Sequence, residues 1–263
     1  FWGDGSLPIY IGKSVDLRAR VRSHQLAPEE AGMMAKVTHV ELHETAGEMG
    51  ALLLESRLIK QMQPLHNIRL RRSKQLVSLQ LKGESDWPVI ETVQPRDPEW
   101  ALQPDRFGVF SSPHAAKRFL QGLAQTEGLC LSVMGLEAKR TRGCFARQLN
   151  RCAGACVGVE SLAQHRERLR TALADLQIQV WPFPGPMDLI EQRDDWIQRL
   201  RIHRWQHEST WCSRVGLQTH PASEGFDWDV YRIVLGPVLS GRARLEPSIE
   251  IEGVKARNAL GPI

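Results

Sequence analysis

Residues 10–14 read Tyr-Ile-Gly-Lys-Ser, and residues 51–60 read Ala-Leu-Leu-Leu-Glu-Ser-Arg-Leu-Ile-Lys. The first stretch ends a predicted strand over 7–13, in which alternate side chains share one face. Ser14 is expected to cap the helix that follows, with Asp16 in its first turn. A short strand that leads at once into a helix begins the fold.

The second stretch lies in a predicted helix over 48–62, which Pro64 ends. Its apolar stripe consists of Leu52, Leu58, Ile59 and Met62. Glu55 falls inside that stripe, and a carboxylate there is costly unless it is paired, hydrogen-bonded or bound to metal. A boundary Glu that reaches solvent, or one paired with Arg57 or Lys60, is the simpler alternative. A weak alternation over 36–44 predicts a second strand.

Tyr10, Lys13, Arg20 and Glu55 together suit the hydrolysis of a phosphodiester. That reaction needs an activated water, charge neutralisation on the phosphate and stabilisation of the leaving oxygen. A single Mg²⁺ supplies much of this while using only one or two carboxylates. These residue types are common, so their spacing alone is a weak signal.

These segments, followed by Pro-Leu-His-Asn at 64–67, resemble the GIY-YIG nuclease domain of the UvrC-like excision-repair nucleases over about residues 7–75. The resemblance implies that Tyr10 is a candidate general base and that Lys13 lowers its pKa or contacts phosphate. It further implies that Arg20 neutralises the scissile phosphate and that Glu55 ligates one Mg²⁺ or Mn²⁺.

Two further residues receive roles from the resemblance. Asn67 matches a position that shapes the site. His24 stands where UvrC-like sequences often carry Tyr, and it is either a site residue or a core histidine. The first half of the motif, Gly-Val/Ile-Tyr, is expected just before Phe1, and some family mechanisms assign the base to that Tyr. The identity of the base therefore stays open.

Four of the five cysteines, Cys130, Cys144, Cys152 and Cys156, are separated by thirteen, seven and three residues. Zinc sites usually bring two short cysteine pairs, and only one occurs here. Four unevenly spaced thiolates can hold a [4Fe–4S] cluster, which the resemblance favours. Zinc and plain buried cysteines are the alternatives. Cys212 is expected to be a small core residue.

The composition, 42% hydrophobic and 24% charged over 263 residues, excludes a disordered, collagen-like or membrane-spanning chain. No secretion signal is visible, so a reducing cytoplasmic location is expected.

The net charge of +4 is mild, but basic residues cluster over 57–74 and 139–151. Each cluster suits DNA phosphates or is simply a solvated face.

Beyond residue 80, helices are predicted over 113–126, 161–177 and 187–215, after a loop-rich connection over 83–105. The predicted fold class is α+β. Residues 1–80 form a small nuclease domain with a few-stranded antiparallel sheet and flanking helices. Residues 81–263 form a mainly helical domain that holds the cysteine cluster and binds DNA and partners. The tryptophans at 196, 205 and 211 are expected in the core rather than on a partner surface.

The resemblance implies one incision on the 3′ side of a lesion in damaged double-stranded DNA, on a UvrB–DNA complex loaded by UvrA and UvrB, in damage-induced (SOS) repair. The chain is too short to add the second, RNase H-like nuclease of the longer family members. The alternatives are another GIY-YIG structure-selective or homing nuclease, and a non-catalytic DNA-binding scaffold. The presence of Tyr10, Arg20 and Glu55 argues against the scaffold.

Overall fold

A computed structural model describes residues 1–67, 76–82, 87–92, 99–220 and 226–248. The chain separates into two compact units. The first unit is Phe1–Ser73 with Trp181–Ile263, and the second unit is Lys74–Val180. Both helices and antiparallel sheets occur, so the predicted α+β class is confirmed. Within the described ranges, no helix has the length and apolar character to span a membrane.

The predicted division into 1–80 and 81–263 differs from these units, because the first unit joins the segment from 181 onward to the N-terminal residues.

Helices of the first unit are α1 (Leu17–Leu26), α2 (Ala31–Met34), α3 (Glu48–Met62) and, close to the end of the chain, α7 (Trp228–Leu239). The predicted helix over 48–62 is therefore confirmed at both ends.

The cap of α1 lies two residues later than predicted. The Asp16 side chain, not Ser14, accepts the Ala19 amide at 2.8 Å and caps the helix. The Ser14 hydroxyl instead donates to the Asp16 carbonyl at 2.7 Å. A carboxylate at the cap also complements the positive end of the helix dipole.

The regular strands predicted over 7–13 and 36–44 are not present. Two isolated antiparallel bridges, Trp2 with Pro8 and Trp2 with His39, take their place. Pro8 has no N–H to extend a ladder, and the Ile9 carbonyl accepts its hydrogen bond from His66, after α3, at 2.9 Å. The N-terminal backbone is thus tied down by single contacts rather than by a continuous ladder.

The prediction of helix over 187–215 is wrong, because this region forms an antiparallel sheet. Its strands are β4 (Met187–Arg193), β5 (Trp196–His203), β6 (Gln206–Cys212), β7 (Gly216–Thr219) and β8 (Arg244–Pro247), in the order β7-β6-β5-β4-β8. Burial alternates strictly along β5, which is the period of a strand. The turn at Arg204 and Trp205 has positive φ at both residues, as a two-residue hairpin of type I′ requires.

The tryptophans of this region are mainly core residues, as predicted. Trp205 is completely buried and stacks edge-on against Tyr231 of α7, with ring centroids 5.2 Å apart. Trp196 is also buried, and its indole N–H donates to the Cys212 sulfur. Cys212 is buried in the core, as expected of a small residue of this kind.

The second unit contains a three-stranded antiparallel sheet with the order β2-β1-β3, formed by β1 (Val77–Lys82), β2 (Trp87–Thr92) and β3 (Arg106–Phe110). Its helices are α4 (Pro113–Glu127), α5 (Phe145–Gln148) and α6 (Leu162–Leu173). The helices predicted over 113–126 and 161–177 are confirmed, although the latter ends in a 3₁₀ turn. The segment predicted as a loop-rich connection contains β2. Leu79, Leu120 and Leu169 lie in the core between sheet and helices.

Part of the basic cluster over 57–74 is engaged in contacts within the first unit. Lys60 pairs with Asp227 at 2.6 Å, and Arg57 contacts the buried ring of His220. These two cations are therefore not free for phosphate. Arg69, Arg71, Arg72 and Lys74 lie outside the described residues.

Replacing His220 with Gln is expected to flatten the loss of stability in mild acid. Burial, reinforced by the Arg57 charge, lowers the pKa of His220 to about 3, whereas an unfolded histidine titrates near ~6.5. Below that value the unfolded chain takes up a proton that the folded protein refuses. The free energy of unfolding therefore falls as the pH drops toward the folded pKa.

Urea unfolding at pH 7 and pH 5 measures this effect. The H220Q variant should lose about 2 kcal/mol less than the wild type between these two values. The exposed His43, replaced in H43Q, should leave the wild-type dependence intact. Equal pH dependence in H220Q and wild type would contradict the assignment.

Candidate active site and cysteine centre

An open cleft of about 670 Å³ in the first unit gathers most of the predicted site residues. Those that line it are Tyr10, Lys13, Arg20, His24 and Glu55. They come from the segment before α1, from α1 itself and from α3. Asn67 does not line the cleft.

Tyr10 and Arg20 are in direct contact. The Arg20 guanidinium donates to the Tyr10 phenol oxygen at 2.9 Å. Gly12 makes room for this phenol, because a Cβ at that position would lie 2.6 Å from its oxygen. Any other residue at position 12 would therefore force the Tyr10 ring to shift.

Glu55 lies half-buried in the cleft, on the inner part of α3. Burial raises the pKa of Glu55, while the Lys13 backbone amide and the charges of Lys13 and Arg20 oppose that rise. The alternative ion pairs with Arg57 and Lys60 do not form, since both contact residues beyond position 200. A half-buried carboxylate with cations nearby is a typical functional arrangement.

Lys13 makes an ion pair with Glu48, in the first turn of α3. This contact links the Tyr-Ile-Gly-Lys segment to the helix that carries Glu55. The hydrogen bond from Lys13 is also the main cause that lowers the pKa of Glu48. Glu48 was not predicted as a site residue, although an acid in the first turn of a helix is a common sequence signal.

His24 is buried against Phe1 and Tyr10, whose rings it meets edge-on. Its Nδ1 lies 2.5 Å from a Glu30 carboxylate oxygen. Among the described residues its Nε2 has no hydrogen-bond partner. His24 is thus packed like a core residue, but it presents an unsatisfied nitrogen beside the cleft.

Asn67 fixes the backbone next to Tyr10. Its amide nitrogen donates to the Ile11 carbonyl at 2.7 Å, and its oxygen accepts the Ile11 amide at 2.9 Å. The two bonds replace a missing sheet partner for this segment. Asn67 therefore acts on the cleft through Ile11 and not by contact.

The donor set of the cleft fits a hard divalent cation such as Mg²⁺. Such an ion prefers oxygen ligands and keeps several of its waters, so one carboxylate and open space suffice. Glu55 offers the carboxylate, and the cleft offers the space. In the described part of the chain, only the four cysteines form a group of three or more potential ligands.

The four predicted cysteines lie together in the second unit, and all are free thiols. Their sulfur atoms lie within 4.8 Å of one another. Tetrahedral zinc holds its thiolates about 3.8 Å apart, and a four-iron cluster separates them further than a single ion does. The chain thus brings four soft ligands close together.

The thiols are embedded in surroundings that suit a metal centre. Burial raises the pKa of Cys144 to about 11. Burial also opposes ionisation of Cys156, but the Cys144 amide and the neighbouring thiols together lower its pKa. The Gly154 amide donates to the Cys152 sulfur at 3.3 Å. Neighbouring buried thiols of this kind lose their protons at different pH values. A bound cation would stabilise their thiolate forms.

Sequence reasoning missed the residues beyond position 180 that contribute to the first unit's cleft and to α3. Arg193, at the end of β4, lines the cleft. Glu191 and Gln198 bind backbone amides at the start of α3. No local sequence pattern predicts these contacts, because each joins two residues more than 140 positions apart in the chain.

Comparison with known proteins gives two family models that match in succession. Residues 1–68 match the UvrC-like GIY-YIG domain, and residues 76–175 match the middle domain of the UvrC/Cho excinucleases. No solved structure matches the chain.

Several curated proteins are similar over most of the chain. The excinuclease Cho of Salmonella typhi is 43% identical over 243 residues, which cover 90% of this chain and 80% of that protein. The excinuclease Cho of Escherichia coli K12 is 42% identical over 90% of this chain and 79% of its own length. The UvrABC system protein C of Halobacterium salinarum is 32% identical, with 95% of this chain covering 42% of that protein.

Replacing Glu55 with Gln is expected to raise the melting temperature in metal-free buffer at neutral pH. Because burial raises the pKa of Glu55, the ionised form reduces stability at every pH above that pKa. The uncharged amide removes this penalty. Differential scanning calorimetry measures the shift.

The matched control is Glu48→Gln, a second carboxylate in the lining of the same cleft. Lys13 lowers the pKa of Glu48, so losing that charge should give no gain in melting temperature. A destabilised E55Q, or an equal gain in both variants, would contradict the placement of Glu55.

Proposed function

This chain belongs to the UvrC/Cho family of GIY-YIG excinucleases, and on that premise we propose that it makes the incision on the 3′ side of a DNA lesion. The family and the GIY-YIG nuclease type are shown by the two matching family models and by relatives at 42–43% identity. The proposal adds the side of the cut, the UvrB–DNA complex loaded by UvrA and UvrB as substrate, and the dependence on a divalent metal.

The observation that supports this most is the shared cleft. Tyr10 and Arg20 are hydrogen-bonded to each other, and Glu55 lines the same cavity. We assign Tyr10 the role of general base: as a phenolate oriented by Arg20, it would accept one proton from the attacking water and become the phenol. Arg20 then neutralises the scissile phosphate, for which a guanidinium is well suited. Hydrolysis would leave 3′-hydroxyl and 5′-phosphate ends.

Glu55 is the proposed ligand of one Mg²⁺ or Mn²⁺. When bound, this ion supplies Lewis-acid stabilisation of the phosphate charge. Lys13 holds Glu48 and donates its backbone amide toward Glu55, which keeps α3 against the Tyr10 segment. His24 supports the site by packing its ring against Tyr10, and Asn67 supports it by hydrogen bonds to Ile11.

The cysteine region of the second unit is a candidate DNA backbone contact. Lys139, Arg140, Arg142 and Arg151 are exposed around the four thiols. Phosphate contacts of this kind add affinity without reading sequence. That suits a nuclease whose position is set by a lesion-bound partner.

An incision assay on a lesion-bearing duplex with UvrA and UvrB tests the proposal. The wild type with Mg²⁺ should give one cut on the 3′ side of the lesion, and a chelator should stop it. Glu55→Ala should lower the rate by about 10³-fold, as loss of a main electrostatic element does. Glu167, an exposed carboxylate on α6, provides the control E167A, which should cut like the wild type.

Two results would overturn parts of this proposal. Cutting by E55A at the wild-type rate would remove Glu55 as the metal ligand. Cutting of undamaged branched DNA without UvrB would identify a structure-selective nuclease instead.

We also propose that the four cysteines hold a [4Fe–4S] cluster. The resemblance to UvrC-like proteins supports iron–sulfur, and binding would require the thiolates to move apart from their present compact arrangement. Protein purified without oxygen should show the visible absorption of such a cluster and contain about four iron atoms per chain.

Substitution of the cysteines tests this assignment. Cys152→Ser should remove the absorption and the iron, while Cys212→Ser should retain both, because Cys212 lies outside the centre. One zinc ion per chain and no iron would replace the cluster by a zinc site.

A further inference from the structure

The start of helix α3 is capped by a residue from the C-terminal sheet. The Glu191 carboxylate on β4 accepts the amides of Met49 and Gly50, each at 2.8 Å. The helix's own cap position is Gly47, which has no side chain to do this. A carboxylate bound to first-turn amides also compensates the positive end of the helix dipole.

Two glycines make this approach possible. A Cβ on Gly47 would collide with the carboxyl group of Glu191. A Cβ on Gly50 would lie 3.1 Å from a Glu191 oxygen and 3.0 Å from the Gln198 oxygen. The start of α3 is therefore shaped to receive these two side chains at close range.

Gln198 provides a second contact from the same sheet. It stands directly opposite Glu191 in the register of β4 and β5. Its side-chain oxygen accepts the Ala46 amide at 2.7 Å, in a buried hydrogen bond. A cross-strand pair thus binds three amides around the beginning of α3, those of Ala46, Met49 and Gly50.

The last turn of α3 is held by the same C-terminal region. Lys60 pairs with Asp227 at 2.6 Å and with Asp229 at 2.8 Å, both at the start of α7. Glu55 lies between the two anchored ends. Neither matching family model covers the anchor residues on the C-terminal side, Glu191, Gln198, Asp227 and Asp229.

We propose that Glu191 is a positioning residue of the nuclease, which caps α3 from the C-terminal sheet and thereby fixes Glu55 in the cleft. The proposal rests on the proposed function, since it gives Glu55 a metal to hold. It assigns part of the nuclease site to the segment from 181 onward. Glu191 acts through α3 and does not itself touch substrate.

Binding of Mn²⁺ to the full chain, followed by electron paramagnetic resonance, tests the functional part. Glu191→Ala should weaken Mn²⁺ binding by about 10-fold, as loss of an outer positioning group does. Glu191→Gln keeps one acceptor oxygen and should fall between E191A and the wild type. Glu55→Gln defines the signal that belongs to the cleft.

The control is Glu246→Gln. Glu246 is also a charged residue of this sheet, but it pairs with Arg199 and Arg244, and within the described residues it makes no hydrogen bond to α3. It should bind Mn²⁺ as the wild type does. Incision measured against metal concentration should show the same ranking, with a shifted midpoint. A merely structural defect would lower the active fraction and leave that midpoint in place.

Hydrogen exchange of the free protein tests the capping contact separately from the nuclease. The amides of Met49 and Gly50 should exchange at least about 10-fold faster in E191A, while those of β5 and β6 keep their protection. If E191A does not fold, Gly47→Ala serves instead, since it displaces the same carboxylate.

The outcomes separate the two proposals. Unchanged Mn²⁺ affinity in E191A, or wild-type exchange at positions 49 and 50, overturns the role of Glu191. A wild type that binds Mn²⁺ in the cleft but makes no incision overturns the proposed function and leaves the role of Glu191 to the binding and exchange results.

Discussion

The placement of helix α3 is the constraint on which the candidate nuclease site depends. Leu53 and Ile59 bury one side of the helix almost completely, and burial of two such side chains is worth about 3–6 kcal/mol. Contacts at both ends fix its direction and its position along its axis. Glu55 is carried into the cleft by this packing, although a carboxylate by itself would favour water.

The site and the cysteine centre share a physical pattern. In both, burial shifts ionisation away from the charged form, and the chain provides nearby groups that partly offset the cost. Glu55 has the Lys13 amide, and Cys156 has the Cys144 amide. Such arrangements lower the stability of the metal-free protein, and a bound cation would offset that cost.

The sequence was informative where chemistry is local. Helices α1 and α3 could be predicted, because apolar spacing and helix-ending residues act over a few positions, although Asp16 rather than Ser14 caps α1. The grouping of the four cysteines was indicated by their nearness in the sequence together with the family resemblance. His24 is buried like a core residue and also lines the cleft.

Long-range contacts account for what the sequence could not predict. The prediction of helix over 187–215 is wrong because buried positions alternate strictly along β5, which is the period of a strand. The segment over 7–13 forms no continuous ladder, because its backbone partners are separate residues before and after it: Phe1, Trp2, His66 and Asn67. No local sequence pattern marks Glu191, since its contacts form only when the folded chain brings β4 against Gly47 and Gly50.

Anomalous diffraction from crystals grown with Mn²⁺ tests the central claim most directly. The account predicts a single peak in the cleft within about 2.2 Å of a Glu55 carboxylate oxygen, on the side that faces Tyr10 and Arg20. A peak held by Glu48 or Asp16, with the Glu55 side chain turned away from the cleft, would contradict it.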